Sequence, residues 1–130
     1  MIKITDDVDI VQFKTRFSSF DDGLLKSWNA DFSDDVASLF VEIECRDEES
    51  PSGWSKVAIR LFGLVSLRFY EGPKASYRVL SNGLHITLSE NLIGLEFGDL
   101  IDAPESFDEV TNSLCHAIGD SIAWEAELLP

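Results

Sequence analysis

The stretch FDDGLLKSWNADFSDD, residues 20–35, carries five aspartates threaded through Leu24, Leu25, Trp28 and Phe32. Paired carboxylates can ligate a metal, or act as general acid and base where a dry cleft separates their pKa values. A calcium loop needs oxygens at alternating positions around a glycine bend, as in DxDxDG. Neither Asp21-Asp22 nor Asp34-Asp35 has that spacing, so no metal site is expected. Further acids alternate along extended segments: Glu42 and Glu44 with Phe40, and Glu125 and Glu127 with Ala123. Such rows belong on the water side of a sheet whose other side is apolar. They serve either as a solvated face or as a patch for a Lys/Arg-rich partner.

Other reactive side chains are few. His85 and His116 each fall in a segment with strand character, where a lone His is read as structural or exposed. Cys115 and His116 are adjacent, so in a strand they point to opposite faces and cannot act as a thiol–imidazole pair. The chain lacks a Walker loop, GxGxxG, GxSxG, HExxH and CxxC, so no catalytic residue and no cofactor is expected. Cys45 and Cys115 are the only cysteines and read as buried free thiols.

The net charge is −14, unevenly spread. Residues 1–55 carry −8, residues 56–80 carry +4, and residues 81–130 carry −10 without a single Lys or Arg. That balance opposes binding to nucleic acid or anionic membranes and favours fast capture of a basic partner. No apolar run approaches the ~20 residues of a membrane helix, and the N-terminus lacks the basic start and apolar stretch of a signal peptide. A cytoplasmic location is the expectation.

The elements that position these groups are read from periodicity. One domain, 1–130, fits the length, with 45 % apolar residues to fill its core. A helix is predicted over residues 5–19, with Thr5 as N-cap and Ile10, Phe13 and Phe17 on one face. Beyond it the period changes to two. Residues 24–32, 36–45 and 54–62 alternate, with Leu24, Lys26, Trp28, Ala30 and Phe32 predicted on one side of the first. Asn82-Gly83 predicts a hairpin between 76–81 and 84–90, and Gly119-Asp120 another within 113–128. Residues 91–102 are expected as a strand and 103–112 as a short helix or a loop. The fold class predicted is mainly β (α+β): an antiparallel sheet or sandwich of about eight strands with one N-terminal helix. Trp54, at the rim of a loop after Gly53, is the tryptophan expected to be exposed; Trp28 and Trp124 are expected in the core.

Taken together, FDDGLLKSWNADFSDDVASLFVEIEC, WSKVAIRLFGLVSLRFY and IGDSIAWEAEL resemble small bacterial immunity-type domains of polymorphic toxin systems. Those carry an F-H-D-[AGS] element, here Phe20, Asp22 and Gly23 with Asp21 in place of the usual His. They also carry an F-x-x-V-x-x-L element, which Phe62, Val65 and Leu67-Arg68-Phe69 approach. The resemblance implies a non-catalytic inhibitor that binds and neutralises a cognate, basic toxin. Asp34, Asp35, Glu42, Glu44, Trp54, Glu125 and Glu127 are the candidate partner-binding residues. Two rivals remain: a small-ligand-binding β domain, and an enzyme using clustered carboxylates.

Overall fold

A computed structural model describes all residues, Met1–Pro130. Ten strands form two antiparallel sheets. The larger has the order β1–β10–β4–β3–β2–β6, from β1 (Ile2–Ile4), β2 (Gly23–Asp31), β3 (Ser38–Arg46), β4 (Trp54–Phe62), β6 (Val79–Leu80) and β10 (Ser121–Leu128). The smaller has the order β5–β9–β8–β7, from β5 (Ser66–Phe69), β7 (His85–Leu88), β8 (Ile93–Glu96) and β9 (Cys115–Gly119). The class is the expected one, mainly β with an N-terminal helix, and β1 and a second helix add to it.

Period-two alternation explains the large sheet. Leu39, Val41, Ile43 and Cys45 of β3 are buried, as are Val57, Ile59 and Leu61 of β4 and Ile122 and Trp124 of β10. Register places Val41, Ile59 and Trp124 side by side across three strands. Leu95, Cys115 and Ala117 of the small sheet, and Phe97 just past β8, meet them within one core cluster of 22 buried residues. At about 25 cal/mol per Å² of apolar area, this shared interior is the main stabilising term.

Helix α1 runs over Asp7–Arg16, shorter than the predicted 5–19. The N-cap is Asp6, not Thr5: the Asp6 carboxylate accepts from Asp9 N at 2.8 Å. Asp9 in turn accepts from Thr5 N and Oγ1 at 2.9 and 3.0 Å, so a carboxylate wins the cap and Thr5 becomes a donor outside it. Phe13 and Phe17 turn inward against Trp124, with ring centroids 4.9 and 5.4 Å away. The chain then leaves through a left-handed turn at Ser18, Ser19 and Phe20, which ends the predicted helix early.

Three predictions of local geometry are corrected. In β2 a bulge inserts Lys26 between Leu25 and Ser27, so Leu25 faces Ile43 and Trp28 faces Val41, both on the core side. Leu24 faces Glu44 on the outer side, so the predicted Leu24/Lys26/Trp28 face does not exist. Asn82-Gly83 closes a turn, Gly83 N to Leu80 O at 2.9 Å, but carries the chain between sheets: β6 pairs with β2, and β7 with β8. Gly119-Asp120 likewise makes no hairpin. β9 belongs to the small sheet and β10 to the large one, with Asp120 N bonded to Phe62 O at 2.8 Å at the crossing. All five β9 residues are buried, which needs a layer on each face, and an arm of the large sheet would not supply both. The second layer is α2 (Phe107–Asn112), whose Phe107 and Val110 side chains lie 3.2–3.4 Å from where a Cβ on Gly94 would stand. No helix is long and apolar enough to cross a membrane.

Candidate functional site

The outer face of the large sheet gathers five of the seven candidate residues. Both helices pack elsewhere, so this face meets solvent. Register sets Glu125, Ala58, Glu42 and Ser27 in one row and Glu127, Lys56, Glu44 and Leu24 in the next. Trp54 lies on the same face two residues before Lys56, 40 % exposed, with the Arg46 guanidinium 5.9 Å from its ring centroid.

This face is mixed in charge. The Lys56 ammonium sits 3.6 Å from the carboxylates of both Glu42 and Glu127, and their attraction raises its pKa. Lys26, carried out by the bulge, reaches Glu44 at 4.0 Å. Arg60 lies over the Phe40 ring at 5.3 Å. These long side chains screen Ala58 and Ala123 from water, leaving them 9 % and 6 % exposed on an otherwise open face. Of the four glutamates, Glu125 alone has no ion-pair partner. Phe40, Glu42, Lys56, Ala58, Glu125 and Glu127 rim a depression of about 390 Å³.

Asp34 and Asp35 lie elsewhere, in the exposed loop joining β2 to β3 at one end of the sandwich. The Phe20, Asp22 and Gly23 element is built into the fold. Phe20 is fully buried against Phe13 at 5.0 Å, Asp22 N donates to Leu80 O at 2.9 Å, and a Cβ on Gly23 would stand 3.0 Å from Ile43 Cγ2.

A second, more acidic surface was not singled out from sequence. Asp99, Asp102, Glu105 and Glu109 line a cleft of about 600 Å³ together with Leu100, Ile101, Ala103 and Asn112. Glu105 N donates to Glu109 Oε2 at 2.7 Å, and Glu109 N donates to Ser106 Oγ at 3.2 Å, which fixes the wall made by α2. Ile101 stands 80 % exposed at the rim. The total lack of Lys and Arg after Arg78 was the available signal.

Beneath this cleft lies a buried polar network. The Glu96 carboxylate is fully buried and accepts from Asp99 N at 2.8 Å, Leu100 N at 3.3 Å and Ser113 Oγ at 2.7 Å. Asp99 accepts from Tyr77 Oη at 2.5 Å and from Leu114 N at 2.9 Å. Burial, and then the Asp99 carboxylate, push the Tyr77 hydroxyl well above its ordinary pKa, so it stays a donor. His85 Nε2 lies 3.1 Å from Leu100 O; a carbonyl only accepts, so Nε2 carries a proton there, and Nδ1 is left buried without a partner. These groups hold residues 96–100 from below and shape the cleft floor.

The nearest approach to catalytic geometry is Ser66 and His116. His116 Nδ1 donates to Ser113 O at 2.8 Å, so a neutral ring presents Nε2 as an acceptor to the Ser66 hydroxyl at 2.9 Å. The ring is oriented by a carbonyl, and neither residue lines the acidic cleft. Burial pushes both thiols up to about 12, which removes them as nucleophiles. No group of three or more His, Cys, Asp or Glu side chains is arranged to hold a metal ion. No protein-family model, curated protein or solved structure matches the chain.

Proposed function

We propose that this chain is a non-catalytic, acidic interaction protein of the immunity type, which binds and neutralises a basic protein partner. The observation that carries this reading is the cleft of Asp99, Asp102, Glu105 and Glu109 in a segment that holds no Lys or Arg. Its carboxylates meet no internal cation, so their field extends into solvent and focuses in a concave wall. A partner's Lys or Arg entering there gains a charge-assisted hydrogen bond, while Ile101 offers apolar contact at the rim. The surplus negative charge raises the rate of encounter and disfavours nucleic acid, and an acidic inhibitor competes for the surface a basic toxin uses for its own substrate. The outer face of the large sheet, with Trp54, Phe40 and Glu125, extends the available contact area. The volume of the cleft also favours a small cationic ligand as the second reading.

The test is co-purification from the native host at low salt, followed by a salt titration of whatever is retained. A basic protein released as salt rises is the expected result, and Glu105→Lys with Glu109→Lys should abolish its retention. If no basic protein is held even at low salt, the inhibitor reading fails. A small cation retained in its place selects the ligand-binding reading.

A further inference from the structure

We propose that the end of the sandwich formed by the β2–β3 and β4–β5 connections docks a partner segment that is apolar at its centre and flanked by Lys or Arg. This deepens the inhibitor reading and rests on it for the partner's basic character. Phe32, Val36, Phe62 and Val65 are 68, 57, 37 and 67 % exposed there. Isolated exposed apolar residues need no explanation, but contiguous ones mark interaction sites. The backbone brings these four together. Asp31 pairs with Ser38 and Ser38 with Phe62, so Phe32, Val36 and Phe62 come from three adjacent strand ends, about 10 Å across. Leu64 N donates to Ala37 O at 3.1 Å and Val65 N to Ile118 O at 2.9 Å, which ties the second connection to the first and to the small sheet.

The surface is also held in place before any partner arrives. The Asp31 carboxylate accepts from Ser33 N at 2.8 Å and Ser33 Oγ at 2.6 Å, fixing the start of the first loop. Gly63, at φ +65°, makes the sharp exit from β4 that puts Val65 beside it. Pre-formed contacts lower the ordering cost of binding.

Charge selects the occupant. The rim is Asp31, Asp34, Asp35 and Asp120, and neither Asp34, Asp35 nor Asp120 has an ion-pair partner. Arg60 lies over Phe40 and its charge acts on Asp31, leaving the other three aspartates for an external cation. A second copy of the chain would bring a like rim and a charge of −14 against this one, so a self-complementary contact is opposed. A segment with Lys or Arg on either side of apolar residues meets both features at once. The surface is also separate from the acidic cleft. β9 starts one residue past Leu114, whose N bonds the cleft residue Asp99 at 2.9 Å, and ends at Gly119 against Phe62, so the two surfaces lie at opposite ends of a strand.

The test uses three short synthetic peptides: a Phe-Leu-Val centre flanked by lysines, an oligo-lysine of equal charge, and the same centre flanked by glutamates. Amide chemical shifts map each site and titrations give each affinity. The lysine-flanked apolar peptide should perturb residues 31–38, 62–66 and 119–121 and bind about tenfold more tightly than oligo-lysine. Phe32→Ser with Val36→Ser should remove that advantage, leaving oligo-lysine binding and the melting temperature unchanged, since both side chains are exposed. Equal affinity of the two basic peptides, shifts confined to residues 99–112, or tight binding of the glutamate-flanked peptide overturns the proposal. So does self-association of the free chain that Phe32→Ser abolishes. Binding of both basic peptides only at the cleft would end this proposal and leave the inhibitor reading standing; failure of every basic peptide at every surface counts against both.

Discussion

Arg16 and Asp47 meet in a two-point ion pair, Nε to Oδ1 at 3.0 Å and Nη2 to Oδ2 at 3.1 Å, with the Asp47 side chain fully buried. Arg16 ends α1 and Asp47 follows β3, so the pair pins the helix to the large sheet. Burial pushes the Asp47 carboxyl up, but hydrogen bonds from Arg16, Ser55 and Glu49 N outweigh it and hold it below the ordinary 3.8. The folded value lies below the unfolded one, so the unfolded chain binds more protons in that window. The stability is fully present above about pH 4 and is lost as pH falls through the depressed value. Asp47→Ala leaves Arg16 with only the exposed Glu49 carboxylate, 2.7 Å from its Nε. It should cost about 3 kcal/mol, the low end for a broken buried pair because Arg16 is 24 % exposed. Urea midpoints measured from pH 7 downward check this: the gap between variant and wild type should be constant above about pH 4 and narrow as pH falls through the depressed Asp47 value.

The two thiols should be silent in the native state. With burial holding each near 12, roughly 10⁻⁴ of either is ionised at pH 8, and neither is reachable by a bulky reagent. A disulfide reagent should modify neither in buffer and both in urea. The same shift predicts alkaline weakening. The unfolded chain releases thiol protons near 9 while the folded one keeps them, so stability falls as pH rises from 9 toward 12. Replacing both cysteines by alanine should flatten that slope, with the part due to Tyr77 remaining.

Ser19 and Asp22 adopt φ of 56° and 58°, a region that costs a residue with a Cβ about 1–2 kcal/mol. Ser19 O accepts from Leu84 N at 3.0 Å and Asp22 N donates to Leu80 O at 2.9 Å, and these main-chain bonds over-determine the turn. Neither side chain makes a hydrogen bond that the turn needs. Ser19→Gly and Asp22→Gly should therefore each raise the melting temperature by a few degrees, after the entropic cost of glycine is subtracted. Asp22→Val should lower it. A drop for both glycine variants would mean that the left-handed turn is not the populated conformation.

Regular alternation was legible before the fold was known. In β3 and β4 each apolar residue has one role and one side, and the pattern alone separated Leu39, Val41 and Ile43 from Glu42 and Glu44. Where one residue breaks the count, the pattern misleads. Lys26 is the extra residue of a bulge, and nothing in LLKSW distinguishes a bulge from an amphipathic strand. Gly83 supplied turn chemistry correctly, at φ +73°, whereas Gly119 is the last residue of β9, and a turn signal does not state which strand comes next to which. Pairing is a long-range property, decided by the need of β9 for cover on both faces. The candidate glutamates of the sheet face were placed on one surface, as their alternation implied, and the counter-charges came from Lys56 of another strand and Lys26 of the bulge. The cleft escaped notice because its four acids are spread over a loop and a short helix without any period.

Lys56 is the cation on which the large sheet's outer face depends. It reaches Glu42 on β3 and Glu127 on β10 from the strand between them, and Glu125 stands unpaired beside Glu127. Replacing it by methionine keeps the alkyl cover over Ala58 and removes only the charge. The face then holds four glutamates against Lys3, Lys26, Arg46 and Arg60, but Glu42 and Glu127 lose their only ion-pair partner, so local repulsion among Glu42, Glu125 and Glu127 opposes folding at low ionic strength. Salt shortens the reach of that repulsion, from about 30 Å at 0.01 M to about 8 Å at physiological strength. Lys56→Met should therefore lower the urea midpoint most at low salt and regain stability as salt is added, a dependence the wild type shows weakly. The same variant should bind oligo-lysine more tightly at low salt, because carboxylates released from an internal cation become available to an external one. A variant with unchanged salt dependence would mean that the glutamates are already neutralised by solvent, and that the outer face adds nothing to the attraction of a basic partner.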